Sequence, residues 1–430
     1  MATDSMNNRR NHNCGKSEAA PTPIRHLYLH IPFCARICPY CAFYKELLDR
    51  SQTERFCEAV LCELKQHTQD RPASLPSGSR LDQSAGSPSS FHSGPDDQRT
   101  IAVEGAAGLR PVRRHLLPST IYFGGGTPTA LTTSQVERLL KGFRELLDLS
   151  TLTEWTVEAN PGSVSPRKAA LFREHGVNRI SLGVQSWDEE LLKILGREHN
   201  APQAEKSFSI LRTAGFTNIN MDLMFGLPGQ TTLQWRSTLE KTISLQPEHI
   251  SAYCLTYEED TEFFLRQARG EFHADPDVDA QFFEMTMSIL QNAGYEHYEI
   301  SNYARPGFSS AHNSAYWAGH DYLGIGPSAF STRGSQRWQN VSDYRDYAGR
   351  ILSGQSAIGT MEQLTPEMRR AERIAFSLRT GEGISAESLQ PWPKETQEFV
   401  ALGLLRESNG NFVLTTAGKS LADSVAEAFV

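Results

Sequence analysis

The stretch Leu27–Lys45, LYLHIPFCARICPYCAFYK, decides the reading of this chain. Residues before the first cysteine alternate as a strand does. Cys34, Cys38 and Cys41 then follow as a C-x3-C-x2-C array. Three thiolates on one short loop suit a [4Fe–4S] cube, because soft sulfur ligands favour iron–sulfur clusters. They are one short of a full set, so one iron is left for an exogenous ligand. A structural zinc site would call for a fourth Cys or His nearby, usually as two paired half-sites. No second pair occurs in the sequence.

Outward from that loop, strand and helix signals alternate. Strands are expected at Leu27–Ile31, Thr120–Phe123, Trp155–Glu158, Arg179–Val184, Thr217–Leu223 and His249–Cys254, with helical patterns between most of them. Ser51-x-x-Glu54 and Ser134-x-x-Glu137 read as capping boxes. Ser165-Pro166 reads as an N-cap with a first-turn proline. Six strand–helix units predict a parallel α/β barrel or an open part of one, and the pattern alone does not separate this from a doubly wound sheet.

The 430 residues allow about two to three domains. Residues 1–24 read as a disordered polar tail. Residues 25–260 read as the α/β body, interrupted at 69–117 by a Ser/Gly/Pro/Asp-rich surface insertion without apolar periodicity. Residues 261–364 read as a linking α/β region, with a helix over Asp277–Asn292 and a strand over Tyr295–Ile300. From Thr365 to Val430, short helices and two short strands read as a winged-helix-like domain. That domain has seven Lys/Arg against nine Asp/Glu, the wrong balance for a DNA-binding wing.

Net charge is −8 and the pI is near 5.9, which argues against a nucleic-acid partner or an anionic-membrane binder. No apolar run approaches the roughly 20 residues of a membrane span, and the N-terminus lacks a secretory signal's apolar core. Seven cysteines, three of them clustered, do not form a secreted disulfide framework. A reducing cytoplasm is the expected location. Cys57 and Cys62 are expected as packed thiols on one helix, and neither Cys14 nor Cys254 is assigned a role.

Gly124-Gly125-Gly126-Thr127 follows a strand. Its missing Cβ atoms would let backbone groups approach a ligand, and a structural turn accounts for the glycines equally well. Glu158, Gln185, Ser186 and Asp222 fall at later strand ends, and Arg197 lies on a loop beyond a short helix. Polar groups at successive carboxyl ends are where barrel sites form.

The cysteine array with YLHIPFC before it and PYC within it resembles the radical-SAM superfamily. There an incomplete (β/α)6 barrel holds a [4Fe–4S] cluster whose open iron is chelated by S-adenosylmethionine (SAM). The runs SLGVQSWDEELLKILGREH, NINMDLMFGLPGQT, HISAYCLTYEEDT, YEISNYARPG and HNSAYW..HDYLGIGPSA narrow the resemblance to the coproporphyrinogen III oxidase-like group. By matched position, the resemblance implies SAM contacts at Tyr28, Tyr40, Gly125, Gly126, Thr127, Glu158, Gln185, Arg197, Asp222 and Thr256.

Within that group the oxidases carry a further cysteine two residues after the third, where this chain has Phe43. This departure is a feature of a branch of haem chaperones. The implied function is to bind the cluster, SAM and haem, and to pass haem to haem-dependent proteins such as respiratory enzymes, with membrane contact only through those partners. The alternative is an oxygen-independent coproporphyrinogen III oxidase that decarboxylates propionates through a SAM-derived radical.

By itself, His312-Asn313-Ser314-Ala315-Tyr316-Trp317 reads as a capping His-Asn with a packed Tyr-Trp pair. The resemblance turns His312, Asn313, Tyr316 and Trp317 into expected haem contacts, His312 as an axial ligand. Two departures are Ala42, where the family often has Asp, and Phe330, where it often has His.

Overall fold

The computed structural model describes residues 24–68 and 116–429. Residues 1–23 of the expected tail, most of the expected insertion, and Cys14 lie outside the described residues, whereas Ile24, the last residue of that tail, is buried in the core.

The body is built from β1 (His26–Ile31), α1 (Arg50–Thr68), β2 (Thr120–Gly125), α2 (Thr133–Leu146), β3 (Glu154–Ala159), α3 (Pro166–Glu174) and β4 (Arg179–Gln185). It continues through α4 (Glu189–Ile194), α5 (Ala201–Thr213), β5 (Ile219–Phe225), α6 (Thr232–Ser244) and β6 (His249–Cys254). These are the six expected strands. All six run parallel, each paired to the next.

Three strands from residues 261–364 join this sheet, while the later strands of that region form a separate three-stranded sheet. After α7 (Glu262–Ala268) and α8 (Pro276–Asn292) come β7 (Glu296–Glu299) and β8 (Asn302–Ala304), an antiparallel pair added beside β6. Then α9 (Ala311–Trp317) leads to β9 (Leu323–Ile325), which pairs parallel with β1 at the opposite edge. The sheet order is β9-β1-β2-β3-β4-β5-β6-β8-β7, and the two end strands are not bonded to each other. The architecture is an incomplete barrel of mixed α/β type.

Period-2 alternation decides what each face of the barrel holds. Leu27, Leu29, Ile121, Phe123, Trp155, Val157, Ile180, Leu182 and Val184 are buried in one apolar cluster. The surrounding helices contribute Phe56, Val60, Leu139, Leu140, Phe143 and Phe172 to the same cluster. Burying a side chain of this size stabilises by about 1.5–3 kcal/mol, so this outer layer holds the strands in register. The intervening positions are polar, as in Arg179-x-Ser181-x-Gly183-x-Gln185, and they face the lumen. Closed (β/α)8 barrels fill that interior with branched apolar side chains; here it stays hydrophilic.

Helix starts correct two expectations. Helix α2 is capped by Thr132, whose side chain accepts from Gln135 N–H while Gln135 reaches back to the Thr132 N–H. The capping box therefore begins two residues before Ser134. At α1, Asp49 takes the expected role of Ser51 by accepting from the Ser51 N–H at 2.9 Å. Asp49 directly precedes the first helical residue, Arg50, so its carboxylate is the oxygen placed to accept from the first-turn amides. Ser165 caps α3 as expected, with Pro166 in the first turn.

The C-terminal region folds around its own cluster of Ile374, Leu378, Ile384, Leu389, Leu405, Leu414, Val425 and Phe429. It comprises α11 (Pro366–Leu378), α12 (Pro393–Ala401), β13 (Leu405–Ser408), β14 (Asn411–Leu414) and a short strand, Ile384–Ser385. (The segment before it holds strands β10, Phe330–Arg333, β11, Gln336–Asn340, and β12, Ile358–Gln363, with α10, Tyr344–Leu352.) The three C-terminal strands form one antiparallel sheet, giving the expected helix-and-wing arrangement.

Candidate functional site

The cysteine loop hangs off the carboxyl end of β1 and is fastened at both ends. Phe33–Cys34 pairs parallel with Glu46–Leu47, which brings the loop back to its own start. At its tip, the Phe263 N–H of α7 donates to the Pro39 carbonyl at 3.1 Å, and the Tyr40 ring packs 6.1 Å from the Phe263 ring. Lys45 Nζ donates to the Cys41 carbonyl. This leaves Cys34, Cys38 and Cys41 as free thiols, partly exposed on one side of a cavity of about 620 Å³. That volume lies within the range of small-molecule sites.

Nine of the ten residues expected to contact SAM line this cavity: Tyr40, Gly125, Gly126, Thr127, Glu158, Gln185, Arg197, Asp222 and Thr256. Tyr28 is the exception, since its hydroxyl is bonded to the His30 ring at 3.0 Å and it does not line the wall. Of the four expected haem contacts, Asn313 reaches the cavity. His312, Tyr316 and Trp317 do not.

Packing alone leaves no room for a side chain in the Gly-rich turn. A Cβ on Gly125, where φ is +105°, would lie 2.5 Å from the His30 ring, and one on Gly126 would lie 2.7 Å from the Pro32 carbonyl carbon. The Gly126 and Thr127 amides donate to the Ile31 and Phe33 carbonyls, both at 2.8 Å. The turn is thereby locked to the strand that launches the cysteine loop. Thr127 Oγ1 reaches Cys34 Sγ at 3.5 Å.

Arg197 spans the mouth of the cavity. Its Nη2 donates to Asn160 Oδ1 at 3.1 Å and to the Gly183 carbonyl at 2.9 Å. The Nε atom is buried without a partner among the described residues. On the neighbouring part of the wall, Glu158 accepts from the Tyr122 hydroxyl at 2.8 Å and from the Gly125 N–H at 3.1 Å. Burial pushes the Glu158 carboxyl up to about 7, against the opposing pull of the Tyr122 hydrogen bond. Asp222 accepts from Ser181 at 2.9 Å and Asn220 at 2.7 Å. Sequence reasoning assigned no role to Asn160, just past the end of β3, and passed over Arg179, Ser181, Asn220 and Tyr122, whose signal was the polar alternation within the strands.

These residues fit the expected cofactors. Burial raises the Cys34 thiol to about 11 and also raises Cys41, so iron would have to displace those protons on binding. Among the described residues no three His, Cys, Asp or Glu side chains are placed to hold one metal ion. Cys34, Cys38 and Cys41 would hold the cluster, which supplies an iron with an open coordination position. Arg197, with an unused buried N–H, suits a carboxylate, and Glu158 suits an ammonium.

The haem motif lies at the other end of the barrel. Glu154, pointing inward from the start of β3, accepts from the backbone N–H groups of Ala311 at 2.7 Å and His312 at 3.1 Å, and from Ser310 Oγ at 3.2 Å. The carboxylate thus caps α9 from inside the barrel. Thr120 Oγ1 sits between His312 Nδ1, at 2.8 Å, and His26 Nδ1, at 2.9 Å. Burial, with the charges of His26 and Arg179 nearby, lowers His312 to about 3. Its imidazole is therefore neutral at ordinary pH, the form that binds iron. Tyr316 and Trp317 stack around Phe376 of α11, at 5.4 and 5.7 Å between ring centroids. Part of the motif is therefore occupied in packing.

Residues 110–242 match the family model described as the radical SAM superfamily. Over the whole chain, the haem chaperone HemW of Bacillus subtilis is 31% identical across 95% of this chain and 99% of its own length. HemW of Lactococcus lactis is 33% identical across 94% and 96% respectively. Among solved structures, the radical SAM coproporphyrinogen III oxidase HemN from Escherichia coli superposes with a TM-score of 0.73 at 21% identity, covering 95% of this chain and 91% of that one. At that identity the likeness concerns the fold. The chain belongs to the HemW family of radical SAM proteins.

Proposed function

We propose that this protein is a haem chaperone. It binds a [4Fe–4S] cluster through Cys34, Cys38 and Cys41, SAM across the cavity from Arg197 to Glu158, and haem with the help of His312 and Asn313. It acts in the cytoplasm and transfers that haem to haem-dependent proteins such as respiratory enzymes, without a nucleic-acid partner. The observation that carries the reading is the site itself. One cavity joins a three-cysteine loop at its mouth to Asn313 of the haem motif, in a chain whose full-length relatives bear the haem-chaperone name.

Phe43 supports the chaperone over the oxidase. It occupies the position of the oxidases' further cysteine, is 70% exposed, and lines the cavity. No helix among the described residues is long and apolar enough to cross a membrane.

The deciding experiment is anaerobic incubation of the reconstituted protein with coproporphyrinogen III and SAM, with haem titration in parallel. The expected result is a haem Soret band and no protoporphyrinogen. Protoporphyrinogen formed together with 5′-deoxyadenosine would make the protein an oxidase.

A further inference from the structure

The lumen contains a buried cation with no partner. Arg179 opens β4, lines the cavity and is 1% exposed. Its guanidinium makes no hydrogen bond and no ion pair with any described residue, and its Nε is fully enclosed. A guanidinium stays charged in proteins and carries five donors in a planar fork. Leaving one buried and unpaired is strongly unfavourable unless something else occupies it.

The carboxylates of the lumen are committed elsewhere. Glu154 is saturated by the start of α9 and by Thr156 Oγ1 at 3.2 Å. Glu158 holds Tyr122 and Gly125, and Asp222 holds Ser181 and Asn220. None lies within ion-pair distance of Arg179, yet all line the same barrel. The arrangement reserves this guanidinium for an anion that arrives from outside.

Position narrows what the anion is. Gly183, whose carbonyl holds Arg197, lies four residues beyond Arg179 on the same strand, or about 13 Å at ~3.3 Å per residue. A SAM carboxylate chelated to iron beside the cysteine loop lies at the Arg197 end. Arg179 starts its strand at the other end, where its charge bears on His312, His249 and Tyr298; along the lumen it also reaches Glu158 and Tyr122. From this geometry we propose that Arg179 is the anchor for a carboxylate borne by a second ligand. Given the function proposed above, on which this inference rests, that carboxylate is a propionate arm of the tetrapyrrole.

The test compares haem with haem dimethyl ester by Soret titration of full-length reconstituted protein, unaltered and as Arg179→Gln. Haem is expected to bind roughly tenfold tighter than the ester, the order expected for a charge-assisted hydrogen bond. In Arg179→Gln the two compounds should bind alike, with ester and SAM affinities unchanged. The ligand-free variant should melt no lower than the unaltered protein, because it loses an unpaired charge rather than a structural contact. Equal binding of haem and ester to the unaltered protein would overturn the anchor and leave the haem reading standing. A fall in SAM affinity in Arg179→Gln would give the carboxylate to SAM and overturn the assignment. Absence of a Soret change with either compound would overturn the haem reading itself, and the anchor with it.

Discussion

Nη1 of Arg197 lies 3.6 Å from Sγ of Cys38 and 3.4 Å from the Tyr40 hydroxyl. One guanidinium therefore links the cysteine loop to the Gly183 carbonyl of β4. A lysine carries the charge but cannot serve these partners together. Arg197→Lys is expected to retain iron after reconstitution and to lose roughly tenfold or more in SAM affinity, the scale of a lost charge-assisted hydrogen bond. Calorimetric titration with SAM checks this, and unchanged affinity would remove Arg197 from the SAM site.

Cys34→Ala, Cys38→Ala and Cys41→Ala should each abolish the broad iron–sulfur absorbance after anaerobic reconstitution. Cys57 is buried on α1 and Cys62 lies on the same helix, so their alanine variants should retain it. Full iron and sulfide in Cys38→Ala would refute the cluster assignment.

With its carboxyl raised to about 7, Glu158 makes SAM binding pH-dependent. Above pH 7 the carboxylate is already ionised and affinity should be flat. Below it, the ammonium must displace a proton, so affinity should fall toward tenfold per pH unit, the limit for one linked proton. Glu158→Gln should bind weakly at every pH and lose the slope. The same shift has the opposite sign for the fold. A carboxyl that prefers its proton in the folded state contributes less to stability as pH rises from its ordinary value through 7. A pH series of thermal melts should show that contribution disappear in Glu158→Gln.

Gly125→Ala tests the packing account of the Gly-rich turn. With φ at +105° and the His30 ring 2.5 Å from an added Cβ, the substitution should destabilise the protein by about 1–3 kcal/mol. It should also lower iron loading, because the turn is anchored to the strand leading into the cysteine loop. A variant with unaltered melting temperature and normal cluster content would show that ligand approach, rather than packing, selects glycine here.

His312→Ala should weaken haem binding or alter the Soret and visible bands. Thr120→Val removes the hydroxyl between His312 and His26 and frees the His312 ring to turn. Groups that orient a ligating histidine tune its metal, so a smaller spectral change with haem still bound is expected. Identical spectra for both variants and the unaltered protein would remove His312 from the iron.

Much of this was legible in the sequence. The six parallel strands followed from alternation and from spacing long enough for crossover helices, and the cysteine array announced its chemistry locally. Capping boxes were misplaced because Ser-x-x-Glu also occurs inside α1 and α2, where Asp49 and Thr132 lie nearer the true helix starts. The hydrophilic lumen was written in the strands as polar residues at every second position. Its meaning depended on which face the helices cover, and the curling of the sheet decides that. Arg179 and Glu154 were passed over for a related reason. A charge at the start of a strand reads as a solvated end until neighbouring strands and α9 enclose it. Likewise, no local pattern could show that Tyr316 and Trp317 pack on Phe376, about 60 residues away in the C-terminal region.

The seven-residue helix α9 has one further consequence. Its first turn is tied to Glu154 in the barrel floor, and its last turn is wedged by aromatic rings against α11. Nearby, Arg379 at the end of α11 meets Glu299 of β7 at 3.4 Å, and Lys419 donates to the His297 ring at 3.0 Å. Two hydrophobic cores that would otherwise melt separately are thus joined through a short rigid element, and neither can open without breaking bonds that belong to the other. Unfolding should accordingly be a single cooperative transition across both cores, and loosening α9 should split it into two.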